Sequence, residues 1–317
     1  MMMKIKTILS LFMLLFVLIS CQNRSGDKKP ADTPTTGEVS ICVDETFKPI
    51  ADAEIQVFQG LYQYAKVNPI YKSETEALNL LVKGKTNMII VSRPLKANEI
   101  DYFHSKKLYP TVTKIAVDAV ALIIHPSNRD SILSMNNIFD IVTGKVTKWK
   151  QIFPKSRLGN IKVVFDNPNS STVRFVLDSI SKTIPLSKHL SAMEYNKDVV
   201  QYVSQTPNAI GFIGVSWVSN KSDSTSLSFL KKVRVMALTK EKTATSTNTY
   251  QPYQAYISKG WYPLTRNIYA INNDPHIGLI HGFVSFLASD RGQRIILKAG
   301  ILPATQPVRI IEVNDNY

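Results

Sequence analysis

From residue 39 onward, short apolar runs alternate with stretches whose apolar residues recur at helical spacing. Val39–Val43 is an apolar strand, and the apolar residues between Ile50 and Ala65 then fall close to helical spacing. Asn68–Tyr71 predicts the next strand, and Ser73–Glu76 forms a capping box that opens a helix. Asn87–Val91 predicts a third strand. This alternation of strands and helices predicts an α/β fold rather than a β-sandwich.

A longer apolar run, Val117–Ile124, is stopped by a proline at position 126. The run is long enough to carry the chain from one lobe into another, so we expect a second lobe to begin near Pro126. Within that lobe the pattern predicts helices around 135–142 and 171–180 and a strand at Ile161–Phe165. No internal repeat is visible in the sequence.

The N-terminal segment has the pattern of an export signal. Two lysines precede an almost purely apolar run, Ile8–Ile19, which is too short to span ~30 Å of hydrocarbon comfortably. The run ends in Ser20-Cys21, which resembles a bacterial lipobox, where the cysteine is acylated and becomes the mature N-terminus. We predict a signal peptide over residues 1–20 and a lipid anchor on Cys21. An ordinary signal peptide with a chance cysteine is the alternative.

The residues after Cys21 are almost all polar, which is typical of a solvated segment. We therefore predict a flexible tether over residues 21–38. Acyl chains on Cys21 would anchor the chain stably. The sequence thus predicts a folded domain attached by lipid to the periplasmic side of a bacterial membrane.

The chain carries 38 Lys and Arg residues against 24 Asp and Glu residues, a formal charge of +14 that favours an anionic partner. No basic run is interleaved with aromatic residues, which argues against nucleic acid. The only cysteines are Cys21 and Cys42, so a disulfide framework and a cysteine-built zinc site are excluded, and Cys42 is predicted to be a buried, inert thiol. The five histidines do not have the spacing of metal ligands, and the nucleophile motif Gly-x-Ser-x-Gly does not occur in the sequence. We therefore expect that the protein binds no metal, uses no cofactor and is not an enzyme.

Candidate binding residues follow three predicted strands at the points where they end. Open α/β sheets bind ligands at the carboxyl ends of their strands, and free amides, hydroxyls and a guanidinium there are suited to an oxyanion. The candidates are Thr46 and Phe47 after the first strand, Ser92 and Arg93 after the third, and Asp166, Asn169, Ser170, Ser171 and Thr172 after the strand at 161–165. Each group alone could be an N-cap or a surface ion pair, but the three together favour a ligand site.

Two motifs occur in a specific order, Gly-Lys-x-x-x-Trp at 144–149 and the later Tyr-Pro-Leu-Thr-Arg at 262–266. Through these motifs the sequence resembles, from about Glu38 to Arg309, the periplasmic phosphate-binding proteins that serve ABC phosphate transporters. The full set of matching stretches is Asp44–Phe47, Leu81–Gly84, Ser92–Leu95, Ile138–Trp149, Pro207–Gly214, Tyr262–Arg266 and Phe286–Gln293.

The resemblance implies a two-lobed periplasmic-binding-protein (Venus flytrap) fold. Residues 39–117 and 258–317 would form lobe I and residues 118–257 lobe II, with chain crossings near 115–122 and 253–262. It also implies a monomeric solute-binding lipoprotein that captures inorganic phosphate between the lobes and delivers it to the permease subunits of an ABC importer. Binding of sulfate, molybdate or a phosphonate, and a structural or sensory role on the same fold, are the alternatives.

Carried over by position, Thr46 and Phe47 match the family's first donor loop, and Ser170, Ser171 and Thr172 match its Ser-Gly-Thr turn. Glu74 or Thr75 falls where a family serine contacts ligand. The sequence departs from the family in two ways. Asn169 and Ser171 stand where the family's turn usually carries glycines beside the serine. In addition, an Asp is common where Arg93 stands, and an Arg where Asp166 stands. We therefore expect Arg93 to supply the cation and Asp166 the proton acceptor for a bound phosphate, with a simple Arg93–Asp166 bridge as the alternative.

Overall fold

A computed structural model describes residues 31–181, 184–219 and 224–306 of the chain, without the side chains of 224–227. The predicted signal peptide over residues 1–20 and the lipidated Cys21 lie outside the described residues. No helix among the residues that are described is long and apolar enough to cross a bilayer.

Lobe I is a mixed sheet of five main strands and one short sixth strand, covered by helices. Its strand order is β2-β1-β3-β11-β4, in which β1 pairs in parallel with β2 and β3, and β11 is antiparallel to both neighbours. The strands are β1 (Gly37–Asp44), β2 (Ala65–Lys72), β3 (Met88–Val91), β4 (Thr111–Ile124), β11 (Thr265–Asn272) and the short β12 (Leu302–Pro303), which pairs with β4. The helices are α1 (Lys48–Leu61), α2 (Glu74–Val82), α3 (Ala97–Ser105), α10 (Leu279–Ala288) and α11 (Asp290–Lys298).

Lobe II is built on the second half of β4, in the order β4-β8-β6-β7. Its further strands are β5 (Ile132–Ser134), β6 (Lys162–Phe165), β7 (Ser191–Ala192), β8 (Ala209–Gly214), β9 (Arg234–Val235) and β10 (Ala237–Thr239). Its helices are α4 (Met135–Val142), α5 (Ser171–Ser179), α6 (Asn196–Gln205), α7 (Ser216–Ser219) and α8 (Ser224–Lys232). Helix α9 (Gln254–Ser258) lies in the segment that returns to lobe I, where Gln254 Nε2 donates to the Leu297 and Ile301 carbonyls. Strands β5 and β10 form a separate two-stranded pair.

One strand joins the two lobes. Residues 111–119 of β4 pair with β11, whereas residues 120–124 pair with β8. The apolar run at Val117–Ile124, which predicted a lobe crossing, therefore lies in a strand that both sheets share. The chain returns to lobe I between β10 and β11, because β10 pairs within lobe II and β11 lies between β3 and β4.

The core confirms the predicted apolar faces. Phe58 of α1 lies against Tyr62 and the two C-terminal phenylalanines Phe283 and Phe286, with ring centroids 5.0–5.2 Å apart. Helix α10 thus packs against α1 of lobe I. Cys42 is fully buried in β1, and burial raises the pKa of its thiol to about 12, so it stays protonated and unreactive as predicted.

The tether is shorter than the sequence predicted. It was expected to reach residue 38, but β1 already begins at Gly37 and pairs with β2. Asp32 is also ordered, because its Oδ1 accepts the Leu279 amide at the start of α10 at 2.8 Å. This cap satisfies one of the free amides of the α10 N-terminus, so residues 32–38 belong to the folded unit rather than to a solvated linker.

Candidate functional site

The ends of β1 and β6 meet across the cleft between the lobes. A short 3₁₀ helix, Glu45–Phe47, follows β1 and presents Thr46 to lobe II. The Thr46 hydroxyl donates to Asp166 Oδ2 at 3.2 Å, and the Thr46 carbonyl accepts from Trp217 Nε1 at 3.0 Å. Two of the predicted site residues, Thr46 and Asp166, are therefore brought into direct contact, and both are buried.

Asp166 is held by donors from both lobes. Its Oδ2 also accepts from Asn196 Nδ2 at 3.0 Å, and its Oδ1 accepts from the Ser170 hydroxyl. Burial raises the pKa of this carboxyl, an effect opposed by the Ser170 hydroxyl and the charge of Arg266. With three donors already in place, at most one lone pair remains for a ligand.

A buried cation, Arg266, contributes to this site, and its side chain is only 2% exposed. Its Nε donates to Asp118 Oδ2 at 2.9 Å, and its Nη1 donates to the hydroxyls of Ser171 at 3.0 Å and Thr172 at 3.5 Å. Among the described residues, neither its buried Nη2 nor Asp118 Oδ1 makes a well-formed hydrogen bond. Leaving a buried donor of a charged group without an acceptor is unfavourable in free energy. The guanidinium can therefore donate one more hydrogen bond, to an acceptor on a ligand.

The N-terminus of α5 adds further donors beside Arg266. Ser170 caps the helix by accepting the Val173 amide at 3.2 Å, which leaves the first-turn amides of Ser171 and Thr172 without intrahelical acceptors. The positive end of the helix dipole lies at the same place. Amides, hydroxyls and a buried guanidinium together form a site suited to an oxyanion.

Asp44, at the end of β1, is the orphaned acceptor of the site. Its Oδ1 accepts the Thr46 amide at 3.1 Å, but no donor among the described residues makes a well-formed hydrogen bond to Oδ2. Burial and the nearby Glu74 carboxylate raise the pKa of Asp44 to about 7, although Ser171 and Arg266 lie close enough to oppose the rise. At neutral pH this carboxyl is therefore poised between its two protonation states.

The site has a second ion pair, Arg174–Glu74, and this one crosses the cleft. Arg174 of α5 donates through Nε and Nη2 to the buried carboxylate of Glu74 in lobe I, and its Nη2 donates to the Ser92 hydroxyl at 2.6 Å. Ser92 in turn donates its amide and hydroxyl to Glu74 Oε1, both at 2.9 Å. Next to this pair, Thr75 donates its amide and hydroxyl to the Asn169 carbonyl, at 3.3 and 3.2 Å.

Arg93 is placed away from Asp166. Its two Nη atoms donate to the two carboxylate oxygens of Glu99 at 2.7 and 2.8 Å, and Nη1 also reaches the Pro94 carbonyl. This bidentate pair lies within lobe I. It occupies the guanidinium that was expected either to bind ligand or to bridge the cleft to Asp166.

The structure thus brings together Thr46, Phe47, Asp166, Ser170, Ser171 and Thr172, with the Phe47 ring 5.1 Å from the Arg266 guanidinium. The contacts around the Arg174–Glu74 ion pair include three further predicted residues, Thr75, Ser92 and Asn169. Arg93 belongs neither to these contacts nor to the group around Arg266. Asp44, Asp118, Arg174 and Arg266 were missed. The sequence did contain one signal for them, because Asp118 interrupts an apolar run and a buried carboxylate needs a partner.

A cavity of about 190 Å³ opens beside Asp44, Thr46 and Asp166. Among the residues that the structure describes, no three His, Cys, Asp or Glu side chains are arranged to hold a metal ion.

A family model described as a PBP superfamily domain matches residues 28–291. The chain belongs to this superfamily. Among its relatives, the phosphate-binding protein PstS of Borreliella burgdorferi is 24% identical over 304 residues, covering 94% of this chain and 98% of that protein. The PstS of Pseudomonas aeruginosa is 24% identical over 294 residues, covering 87% of this chain and 85% of that protein.

Two solved structures have the same two-lobed fold. A candidate phosphate ABC transporter substrate-binding protein from Clostridium perfringens, solved with bound phosphate, matches with a TM-score of 0.70 at 21% identity, covering 85% of this chain and 100% of that one. An ABC-type phosphate transport receptor from Vibrio cholerae matches with a TM-score of 0.61 at 20% identity, covering 84% and 100%. These likenesses confirm the predicted α/β flytrap fold.

Proposed function

We propose that this protein is an extracytoplasmic binding protein, not an enzyme, that captures phosphate in the interlobe cleft and delivers it to the permease subunits of an ABC importer. The names of the PstS relatives and of the phosphate-transport structures support this function. The observation that carries it is the buried guanidinium of Arg266, which holds one unsatisfied donor beside the hydroxyls of Ser171 and Thr172.

In this proposal Arg266 takes the role of the cation that the sequence had assigned to Arg93. The amides and hydroxyls of Ser171 and Thr172, together with the first loop at Thr46 and Phe47, surround the oxyanion. Ser170 and Asp166 fix the position of that turn. Thr75, Ser92 and Asn169 act by holding the two lobes together rather than by binding the ligand.

The proton acceptor for bound phosphate is Asp44, because its Oδ2 makes no well-formed hydrogen bond with the described residues whereas Asp166 is already held by three donors. Below pH 7 a protonated Asp44 can donate to either phosphate or sulfate. Above its pKa of about 7 the ionised carboxylate repels sulfate, which has no proton to give, but still accepts the hydroxyl proton of hydrogen phosphate. The preference for phosphate is therefore expected to rise with pH.

Titration calorimetry at pH 6 and pH 8 tests this function directly. We expect sulfate to bind about tenfold more weakly for each pH unit above 7, while phosphate binding is retained. Asp44→Asn should give a phosphate-to-sulfate ratio that no longer changes with pH, and Asp140→Asn, an exposed lobe II control, should behave as wild type. Absence of phosphate binding at both pH values would contradict the proposed function, and a ratio independent of pH in the wild type would contradict the role of Asp44.

We further propose that the protein works as a monomer and is anchored to the membrane through Cys21. The anchor rests on the lipobox-like sequence Leu-Ile-Ser-Cys and the short apolar run before it, and the monomer rests on the family resemblance alone. Cys21→Ala is expected to abolish metabolic labelling with palmitate. Unchanged labelling of that variant would argue against the anchor.

A further inference from the structure

The charged groups that line the cavity beside the oxyanion site are mainly carboxyl groups. Its 190 Å³ are lined by five carboxyl groups and a single lysine, Lys72, together with the two aromatic rings of Tyr71 and Tyr195. The carboxyl groups belong to Asp44, Glu45, Glu76, Asp166 and Glu194. Lys72 lies 3.9 Å from Glu76, so its charge is already directed to a partner within the cavity wall.

Two buried acceptors of this region make no well-formed hydrogen bond with the described residues. They are Oδ2 of Asp44, a residue that lines the cavity, and Oδ1 of the fully buried Asn196, which bonds to Asp166 through its Nδ2. Arg266 Nη2, by contrast, is a buried donor that lacks an acceptor among the described residues. A ligand that satisfies the whole cleft must therefore offer an oxyanion to Arg266 and hydrogen-bond donors to the carboxyl side.

Inorganic phosphate meets only part of this requirement. It adds negative charge next to five carboxyl groups and brings no group that would extend into the cavity. One water needs only ~10–15 Å³ of such space, so 190 Å³ leaves room for several further heavy atoms. An ammonium group has three donors, no acceptor and a positive charge, and it packs well against tyrosine rings.

We propose that the cleft takes a phosphoryl compound that carries a primary amine, either an aminoalkyl phosphonate or an amine-bearing phosphate monoester. The phosphoryl group lies against Arg266 and the α5 N-terminus, and the ammonium lies among the cavity carboxylates and tyrosines. This assignment rests on the proposed function and specifies the ligand class of the same site. Charge complementarity of this kind fixes the orientation of a ligand as well as its affinity.

Titration calorimetry with four compounds tests the assignment: 2-aminoethylphosphonate, O-phosphoethanolamine, ethylphosphonate and inorganic phosphate. Ethylphosphonate is the matched probe, since it lacks only the amine. We expect 2-aminoethylphosphonate to bind at least tenfold more tightly than ethylphosphonate. The comparison with O-phosphoethanolamine distinguishes a phosphonate from a phosphate ester as the source of the phosphoryl group.

Glu194→Gln tests where the ammonium lies, because this exposed loop residue lines the cavity outside the oxyanion site. In this variant the ratio of the affinities for 2-aminoethylphosphonate and ethylphosphonate should fall several-fold, while the affinity for ethylphosphonate stays unchanged. Glu241→Gln, another exposed carboxylate that does not line this cavity, should retain the full preference.

The outcomes separate the two proposals. Equal affinities for 2-aminoethylphosphonate and ethylphosphonate, with phosphate still bound, would overturn the amine assignment and leave the phosphate function intact. Tight binding of the amine compounds without binding of inorganic phosphate would support the assignment and overturn the simpler function. Binding of none of the four compounds would overturn both.

Discussion

Arg266→Lys is expected to weaken phosphate binding roughly 10- to 100-fold, because one charge-assisted hydrogen bond contributes about 1.5–3 kcal/mol. Lysine keeps the charge that balances the buried Asp118 carboxylate, so the fold should survive the change. It cannot reproduce the planar fork that reaches Asp118, Ser171 and Thr172 together and still offers a further donor. Calorimetry with phosphate measures the affinity, and a thermal melt monitors the fold.

Arg93→Lys is the matched control, since it makes the same chemical change at the arginine that the sequence had favoured. In the wild type the Arg93 guanidinium is bound by Glu99 within lobe I, so the phosphate affinity of the variant should equal that of the wild type. If Arg93→Lys weakened binding and Arg266→Lys did not, the original assignment of the cation to Arg93 would be restored.

Breaking the ion pair between Arg174 and Glu74 is expected to open the cleft. The two side chains come from different lobes, and Glu74 is 2% exposed, so Arg174→Gln leaves a buried carboxylate without its counter-charge. Losing one partner of a buried pair costs about 3–5 kcal/mol, and here the chain can avoid that cost by separating the lobes and hydrating Glu74. Small-angle scattering should show a larger radius of gyration for the ligand-free variant.

The open variant should also bind phosphate at least tenfold more weakly, because binding must then close the lobes first. Asp178→Asn provides the control, since it removes the other, exposed partner of the same arginine. The double variant Arg174→Gln with Glu74→Gln removes both charges and should recover part of the closure. An unchanged radius in Arg174→Gln would show that the pair does not hold the lobes together.

The helix caps and the bounds of several helices and strands could be predicted from the sequence. The capping box at Ser73 and Glu76 is present, with the serine side chain accepting the Glu76 amide and the glutamate accepting the Ser73 amide. Helix α4 has the bounds that the apolar pattern predicted, and β1, β3 and β6 lie within one or two residues of theirs. These features depend on neighbours within one or two turns of the chain, which is the information that periodicity carries.

The ion pairs of the site could not be read in this way. Arg266 and Asp118 face each other across β11 and β4, and Arg174 meets Glu74 across the cleft. Only the three-dimensional register decides such pairings. Arg93 was assigned to the ligand because it follows a strand end, but the sequence did not reveal that Glu99, in the next helix, would bind both of its Nη atoms.

The insertion of β11 between β3 and β4 affects how the chain can fold during synthesis. Both neighbours are made early, but β11 begins at Thr265, after all of lobe II. At ~5–20 residues per second, translation leaves that gap in the lobe I sheet open for on the order of ten seconds. During this time the facing edges of β3 and β4 have unpaired amides and carbonyls, which are open to pairing with other chains. The nascent protein therefore depends most on chaperones before its last fifty or so residues are made.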